Sequence, residues 1–228
     1  MKLHLVIFAL FTSLMANAQQ AKVVRIITSY DTTAVAELYN RVAIGLQLIY
    51  SDSSTAQTTG LLHGDYRWNK INISTSNGSI QNGVLHFNRQ QLEKEHHRIT
   101  FTVTLPDNTP IQTSLTLPHV IGIRFNHYAD SIKRDIRYYL NVEGKFSSGK
   151  IFPLDTSVLR FGTSTGKIIG QDLLLDKADT SKTVTVEAWY KHNPNMYLRS
   201  VIPVKQAPDD DSKIINDTRD LYKKRGKH

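Results

Sequence analysis

Apolar residues in this chain recur at every second position far more than at the 3.6-residue spacing of a helix. Val42, Ile44, Leu46 and Leu48 form one such row, and Ile99, Phe101, Val103 and Leu105 form another, with Thr100, Thr102 and Thr104 interleaved in the second. Successive side chains on a strand point to opposite sides, so these rows give each strand one oily and one watery face. Turn-forming clusters such as Ser51-Asp52-Ser53-Ser54, Ser76-Asn77-Gly78 and Asp107-Asn108-Thr109-Pro110 separate the rows at short intervals. An all-β chain is expected.

The pattern also repeats. "LQLIYSDSST" from Leu46 lies over "LNVEGKFSSG" from Leu140, and "TSNGSIQNGVLHF" from Thr75 lies over "TSTGKIIGQDLLL" from Thr163, pairing Gly78 with Gly166 and Leu85 with Leu173. "ITFTVTLPDN" from Ile99 lies over "VTVEAWYKHN" from Val184, and Leu117-Pro118 over Ile202-Pro203. The spacing shortens along the chain, so the second copy lacks residues between matched blocks. A repeat of this length implies two domains of like architecture, 19–118 and 119–205.

Each copy holds about seven candidate strands, with turns about every 8 to 12 residues, the spacing of a sandwich of two antiparallel sheets. "LNVEGKFSSGKIFPLDTSVLRFGTSTGKIIGQDLLL" followed by "TVTVEAWY" resembles bacterial immunoglobulin-like domains, in which a Ser/Gly turn, a variable stretch, a Ser/Thr-Gly hairpin and a closing Val/Thr-rich strand follow one another. The first copy is similar through "IGLQLIYSDSST" and "TSNGSIQNGVLHF", and departs from the pattern at Thr55–Tyr66 and Gln90–His96. The resemblance implies two tandem immunoglobulin-like β-sandwiches and a non-catalytic extracellular module for binding, adhesion or spacing. A fold of this kind fixes no chemistry by itself.

The ends of the chain bear on location. Lys2 precedes an apolar run from Leu5 to Met15 and then Ala16-Asn17-Ala18, the pattern of a secretory signal peptide spanning 1–18. That run is too short for a hydrocarbon core that needs about 20 residues. An exported bacterial protein without a transmembrane segment is expected, in the periplasm, on the outer surface or released. The chain has no cysteine, which removes disulfides, thiolate metal sites and lipid attachment through cysteine, and leaves stability to buried cores. Residues 206–228 are polar and charged, with Asp209-Asp210-Asp211 before the basic Lys223–Lys227, and read as a disordered tail.

Net charge is +8, yet the positive residues are interspersed rather than gathered into a stripe, so no nucleic-acid partner is expected. No G-x-S-x-G elbow, phosphate-binding glycine loop or marked pair of carboxylates is present, and no catalytic residue or cofactor is assigned. His96-His97 lacks the H-E-x-x-H spacing and a third ligand, so it reads as a solvated loop and no metal is expected. The basic stretch Tyr128–Tyr139 reads as an exposed connection.

The candidate binding residues lie in "TVTVEAWYKHNPNMYLRSVIPV", Thr183 to Val204. If Tyr190 pairs with Met196 around the loop Lys191–Asn195, then Ala188 meets Leu198, Val186 meets Ser200 and Val184 meets Ile202 on the inner face. The outer face then pairs Trp189 with Tyr197 and Glu187 with Arg199. A slip of one residue would bury Glu187 instead. The same reasoning in the first copy pairs Ile99 with Leu117, Phe101 with Leu115, Val103 with Thr113 and Leu105 with Ile111. Trp189, Tyr197 and Arg199, beside His192 and Asn193 of the loop, suit a protein partner or a glycan at the cell surface. The competing expectation is that the two rings only brace the hairpin.

Overall fold

The computed structural model describes residues 21–106 and 109–207; the segment expected to be a signal peptide and almost all of the charged carboxy-terminal stretch lie outside them. The chain divides into two compact units that meet in sequence at His119 and Val120.

Unit 1 contains β1 (Val23–Tyr30), β2 (Arg41–Tyr50), β3 (Thr55–Gln57), β4 (Asn72–Thr75), β5 (Ser79–Gln81), β6 (Val84–His86), the helix α1 (Arg89–Lys94), β7 (Arg98–Thr104) and β8 (Ile111–Thr116). Its sheets run β1-β2-β6-β5, with β3 also on β2, and β4-β7-β8. All these ladders are antiparallel. Setting β3 aside, that is the A-B-E-D and C-F-G order of a constant-type immunoglobulin sandwich.

Unit 2 repeats this path with β9 (Val120–Phe125), β10 (Tyr138–Tyr139), β11 (Val142–Phe146), β12 (Ile151–Leu154), β13 (Leu159–Thr163), β14 (Lys167–Ile169), β15 (Asp172–Leu174), β16 (Thr183–Tyr190) and β17 (Tyr197–Pro203). Here the counterpart of β2 is broken at Leu140-Asn141 into β10 and β11. The two halves pair as β10-β15-β14 and β12-β11-β9, while β13-β16-β17 forms the opposite layer. Both units are therefore antiparallel immunoglobulin-like sandwiches.

Burial follows the alternation. Val42, Ile44, Leu46 and Leu48 all point into the unit 1 core, as do Ile99, Phe101, Val103 and Leu105. In unit 2 the core falls into two clusters, one around Leu140, Leu173, Val184 and Val186 and one around Val142, Phe146, Leu159 and Ala188. Asn141 stands at the break in the strand, buried, and its amide and carbonyl groups bond Asn126 at 3.0 and 2.9 Å.

Three expectations change. The β7–β8 ladder pairs Ile99 with Leu115, Phe101 with Thr113 and Val103 with Ile111, two residues away from the register expected. A shift of two keeps the same side chains inward, so burial cannot choose between the registers and the turn does. Residues 89–94 form a helix whose cap is Asn88, accepting from the Gln91 amide at 3.2 Å. The connection 128–139 is anchored: Ile132 is fully buried and pairs with Val204, and the Arg134 guanidinium bonds the Lys205 carbonyl at 2.8 Å.

Two prolines mark the rims of unit 2. The Tyr190 amide donates to the Met196 carbonyl at 3.0 Å and the Val204 amide to Lys182 at 2.8 Å, so even-numbered residues of β17 bond inward to β16. Pro203 then falls where its missing amide would have pointed away from the sheet. Pro153 has the same placement on β12, since the Phe146 amide bonds the Lys150 carbonyl at 2.9 Å. Edge strands are where proline is tolerated.

Candidate functional site

The β16–β17 hairpin adopts the register read from its sequence, with Trp189 opposite Tyr197, Glu187 opposite Arg199, Ala188 opposite Leu198 and Val184 opposite Ile202. Val184, Val186 and Ala188 are fully buried, so the alternate residues Thr185, Glu187 and Trp189 are carried on the outer face. The Trp189 and Tyr197 rings lie 5.3 Å apart at 39°, within the range in which aromatic pairs attract. The Tyr197 hydroxyl donates to Glu187 Oε1 at 2.5 Å, and that bond to a carboxylate raises the phenol pKa.

The third strand of this sheet adds what the hairpin alone did not show. Strand β13 sets Arg160 opposite Trp189 and Gly162 opposite Glu187. The Arg160 guanidinium sits over the indole, 4.4 Å from the ring centroid. The far edge of the indole lies over Gly162, where an added Cβ would come within 3.1 Å of Cζ3. Trp189 is half-buried as a result, whereas Tyr197 is 42% exposed and Val201, two places further along the same face, 57% exposed. Arg160, Trp189 and Tyr197 thus form a continuous row across three strands, with Glu187 and Arg199 beside it.

The loop residues behave differently. Asn193 shapes the turn: its Oδ1 accepts the Asn195 amide at 3.1 Å and its carbonyl the Met196 amide at 2.9 Å. His192 meets Tyr190 edge-on at 5.4 Å, and Tyr190 belongs to the core side of the strand. The structure therefore gathers Trp189, Tyr197 and Arg199 on one face and employs His192 and Asn193 in the hairpin itself. Arg160 and Gly162 were missed because alternation says which way a side chain points and not which strand lies beside it. The one local signal was Leu159, Phe161 and Thr163 alternating with Arg160 and Gly162.

Two other arrangements bear on chemistry. His127 Nε2 lies 2.9 Å from Ser200 Oγ, and the imidazole stacks on Phe125 at 4.8 Å. Its Nδ1 is buried and has no hydrogen-bond partner among the described residues, so no carboxylate orients the ring as hydrolysis by a serine would require. Burial pushes the His127 pKa down. In unit 1, His97 is not a solvated loop residue. It stacks on His119 with centroids 4.1 Å apart and planes within 2°, and lies 3.6 Å from Glu93. Among the described residues no group of three or more His, Asp or Glu side chains is placed to hold a metal, and no helix is long and apolar enough to cross a membrane.

No protein-family model matches the chain, and no curated protein matches it in sequence. Among solved structures it is similar to the C-terminal 282-residue fragment of intimin, determined in complex with the intimin-binding domain of the translocated intimin receptor. That alignment has 11% sequence identity and a TM-score of 0.27, and covers 82% of this chain and 65% of the intimin chain. The chain thus spans a little less than two thirds of that fragment. The assignment of the fold stands on strand order.

Proposed function

We propose that this chain is an exported, non-catalytic binding module that presents the β13–β16–β17 face of unit 2 to a protein partner. The observation that carries the reading is the row Arg160–Trp189–Tyr197. Arginine, tryptophan and tyrosine are the residue types that concentrate binding energy at protein interfaces, and here the sheet fixes them in place before any partner arrives. Exposed Tyr197, Arg199 and Val201 extend the row. The same strand of unit 1 offers only Thr100, Thr102 and Thr104 at the corresponding outward positions. A glycan stacked on Trp189 is the less favoured use of this face, because the guanidinium of Arg160 already occupies the ring.

Export is part of this reading and rests on the pattern Leu5–Met15 followed by Ala16-Asn17-Ala18. Amino-terminal sequencing of the protein recovered outside the cytoplasm is expected to begin at Gln19; a chain still carrying residues 1–18 would reject it. For the binding face, a photo-crosslinking residue placed at Tyr197 in cells is expected to give a discrete, saturable adduct that Arg199→Glu abolishes. The same residue at Thr102 should give none. Equal labelling from both positions would refute the assignment.

A further inference from the structure

The two units share a strand order but differ in several connections, and most in the one that follows β3 in unit 1 and β12 in unit 2. Between β12 and β13 the chain needs only residues 155–158, whereas between β3 and β4 it runs through residues 58–71. A connection that long is uncommon inside a compact domain, and it includes a 3-10 turn at Trp68–Lys70. This one is also held rigid. Thr58 is fully buried and its hydroxyl accepts the Leu46 amide at 3.0 Å. The Tyr66 amide bonds the Gln57 carbonyl at 3.0 Å, the Thr59 amide bonds the Tyr66 carbonyl at 2.9 Å, and the Trp68 indole donates to the Thr59 carbonyl at 3.0 Å. Gly64 lies so close to β3 that an added Cβ would stand 2.0 Å from the Gln57 carbonyl oxygen.

Between this connection and β3 lies a cavity of about 470 Å³, inside the range of small-ligand sites. Its polar lining comes from Thr55, Gln57, Asp65, Tyr66, Arg67 and Lys70. Among the described residues, the Arg67 and Lys70 side chains have neither an ion-pair nor a hydrogen-bond partner. Two exposed cations without a protein partner on a braced rim offer charge to one anionic group. Asp65 on the same wall disfavours a compact, highly charged anion such as free phosphate. Together with the Gln57 amide and the Thr55 hydroxyl, it can instead bond sugar hydroxyls. Burial, assisted by Tyr50, raises the Tyr66 pKa, so the phenol stays neutral and able to donate.

The geometry points to a binding site in unit 1 for an acidic saccharide, a short hexuronic-acid glycan whose carboxylate lies between Arg67 and Lys70 and whose hydroxyls meet Gln57, Thr55 and Asp65. This site is independent of the unit 2 face. The test is titration calorimetry of the full exported chain with trimers of galacturonic and mannuronic acid, with neutral maltotriose and sodium sulfate alongside. One of the uronic trimers is expected to bind at millimolar affinity or better, with maltotriose and sulfate at least about tenfold weaker, a difference of about 1.4 kcal/mol. Arg67→Gln with Lys70→Gln should remove that binding at least tenfold, while Trp189→Ala leaves it unchanged. Both lysine and arginine are exposed, so the melting temperature should hold; if the double variant melts early, Lys70→Gln alone is measured in its place. No binding of either uronic trimer, equal binding of maltotriose or sulfate, or full binding by the substituted chain would each overturn the assignment.

Discussion

Trp189 owes its half-burial to Arg160 and Gly162, two residues on a neighbouring strand. Removing the ring by Trp189→Ala deletes an aromatic pair and a cation–π contact together, and is expected to cost about 1 to 2 kcal/mol in urea denaturation. Arg160→Ala removes only the second contact and should cost about 0.5 to 1 kcal/mol. If Arg160→Ala proves as costly as Trp189→Ala, the row is not organised as described. The imidazoles supply a pH dependence with a definite sign. Burial lowers the pKa of His127, and burial, together with His119, Arg89 and His96, outweighs Glu93 to lower that of His97. The unfolded chain therefore takes up protons first, so this contribution to stability is complete above about pH 6.5 and is lost as pH falls towards the lowered folded values. The melting temperature should drop between pH 7.5 and pH 5, and His127→Gln should shrink the drop; a flat profile would contradict the burial argument.

At the level of elements, pairing within a hairpin was legible where its turn was short and its outer residues were distinctive. Glu187 with Arg199 and Trp189 with Tyr197 left β16 and β17 a single consistent register. The first hairpin offered only threonines, serine and glutamine outside, and two registers buried the same side chains, so the reading landed two residues away. The helix α1 was invisible to a period-two reading because it is six residues long, although Asn88 is a good cap. Asn88→Ala is expected to cost about 1 kcal/mol, read by denaturation of unit 1. The matched glycines Gly78 and Gly166 were legible as turns, and both have φ near +80°. An added Cβ would meet the His86 carbonyl oxygen at 1.8 Å in one case and the Leu174 carbonyl oxygen at 2.7 Å in the other. Gly78→Ala should therefore destabilise by more than about 2 kcal/mol and by more than Gly166→Ala, and the reverse order would count against these turn geometries.

For the molecule as a whole, alternation and repetition revealed two sandwiches, but not the A-B-E-D and C-F-G order, because a strand's own residues do not name its neighbours. For the same reason Arg160 stayed hidden while Trp189 did not. The cavity beside β3 arose where the first copy stopped matching the second, a mismatch that in sequence looked like noise. Each unit buries its own core, and each holds one of the two tryptophans, Trp68 and Trp189. Phe101→Ala is expected to remove about 3 to 5 kcal/mol from unit 1 and to lower the midpoint reported by Trp68 well before that reported by Trp189. Equal shifts at both fluorophores would show a single cooperative fold.

The two edge prolines of unit 2 carry a consequence for how copies of the molecule meet one another. A foreign strand that aligned itself along the β12 rim would run into Pro153 and find no amide hydrogen to accept, while on the β17 rim the Ile132 amide already takes the Pro203 carbonyl at 2.8 Å, so neither rim offers an unbroken ladder to a second copy. A partner that meets these two rims is left with side-chain contacts.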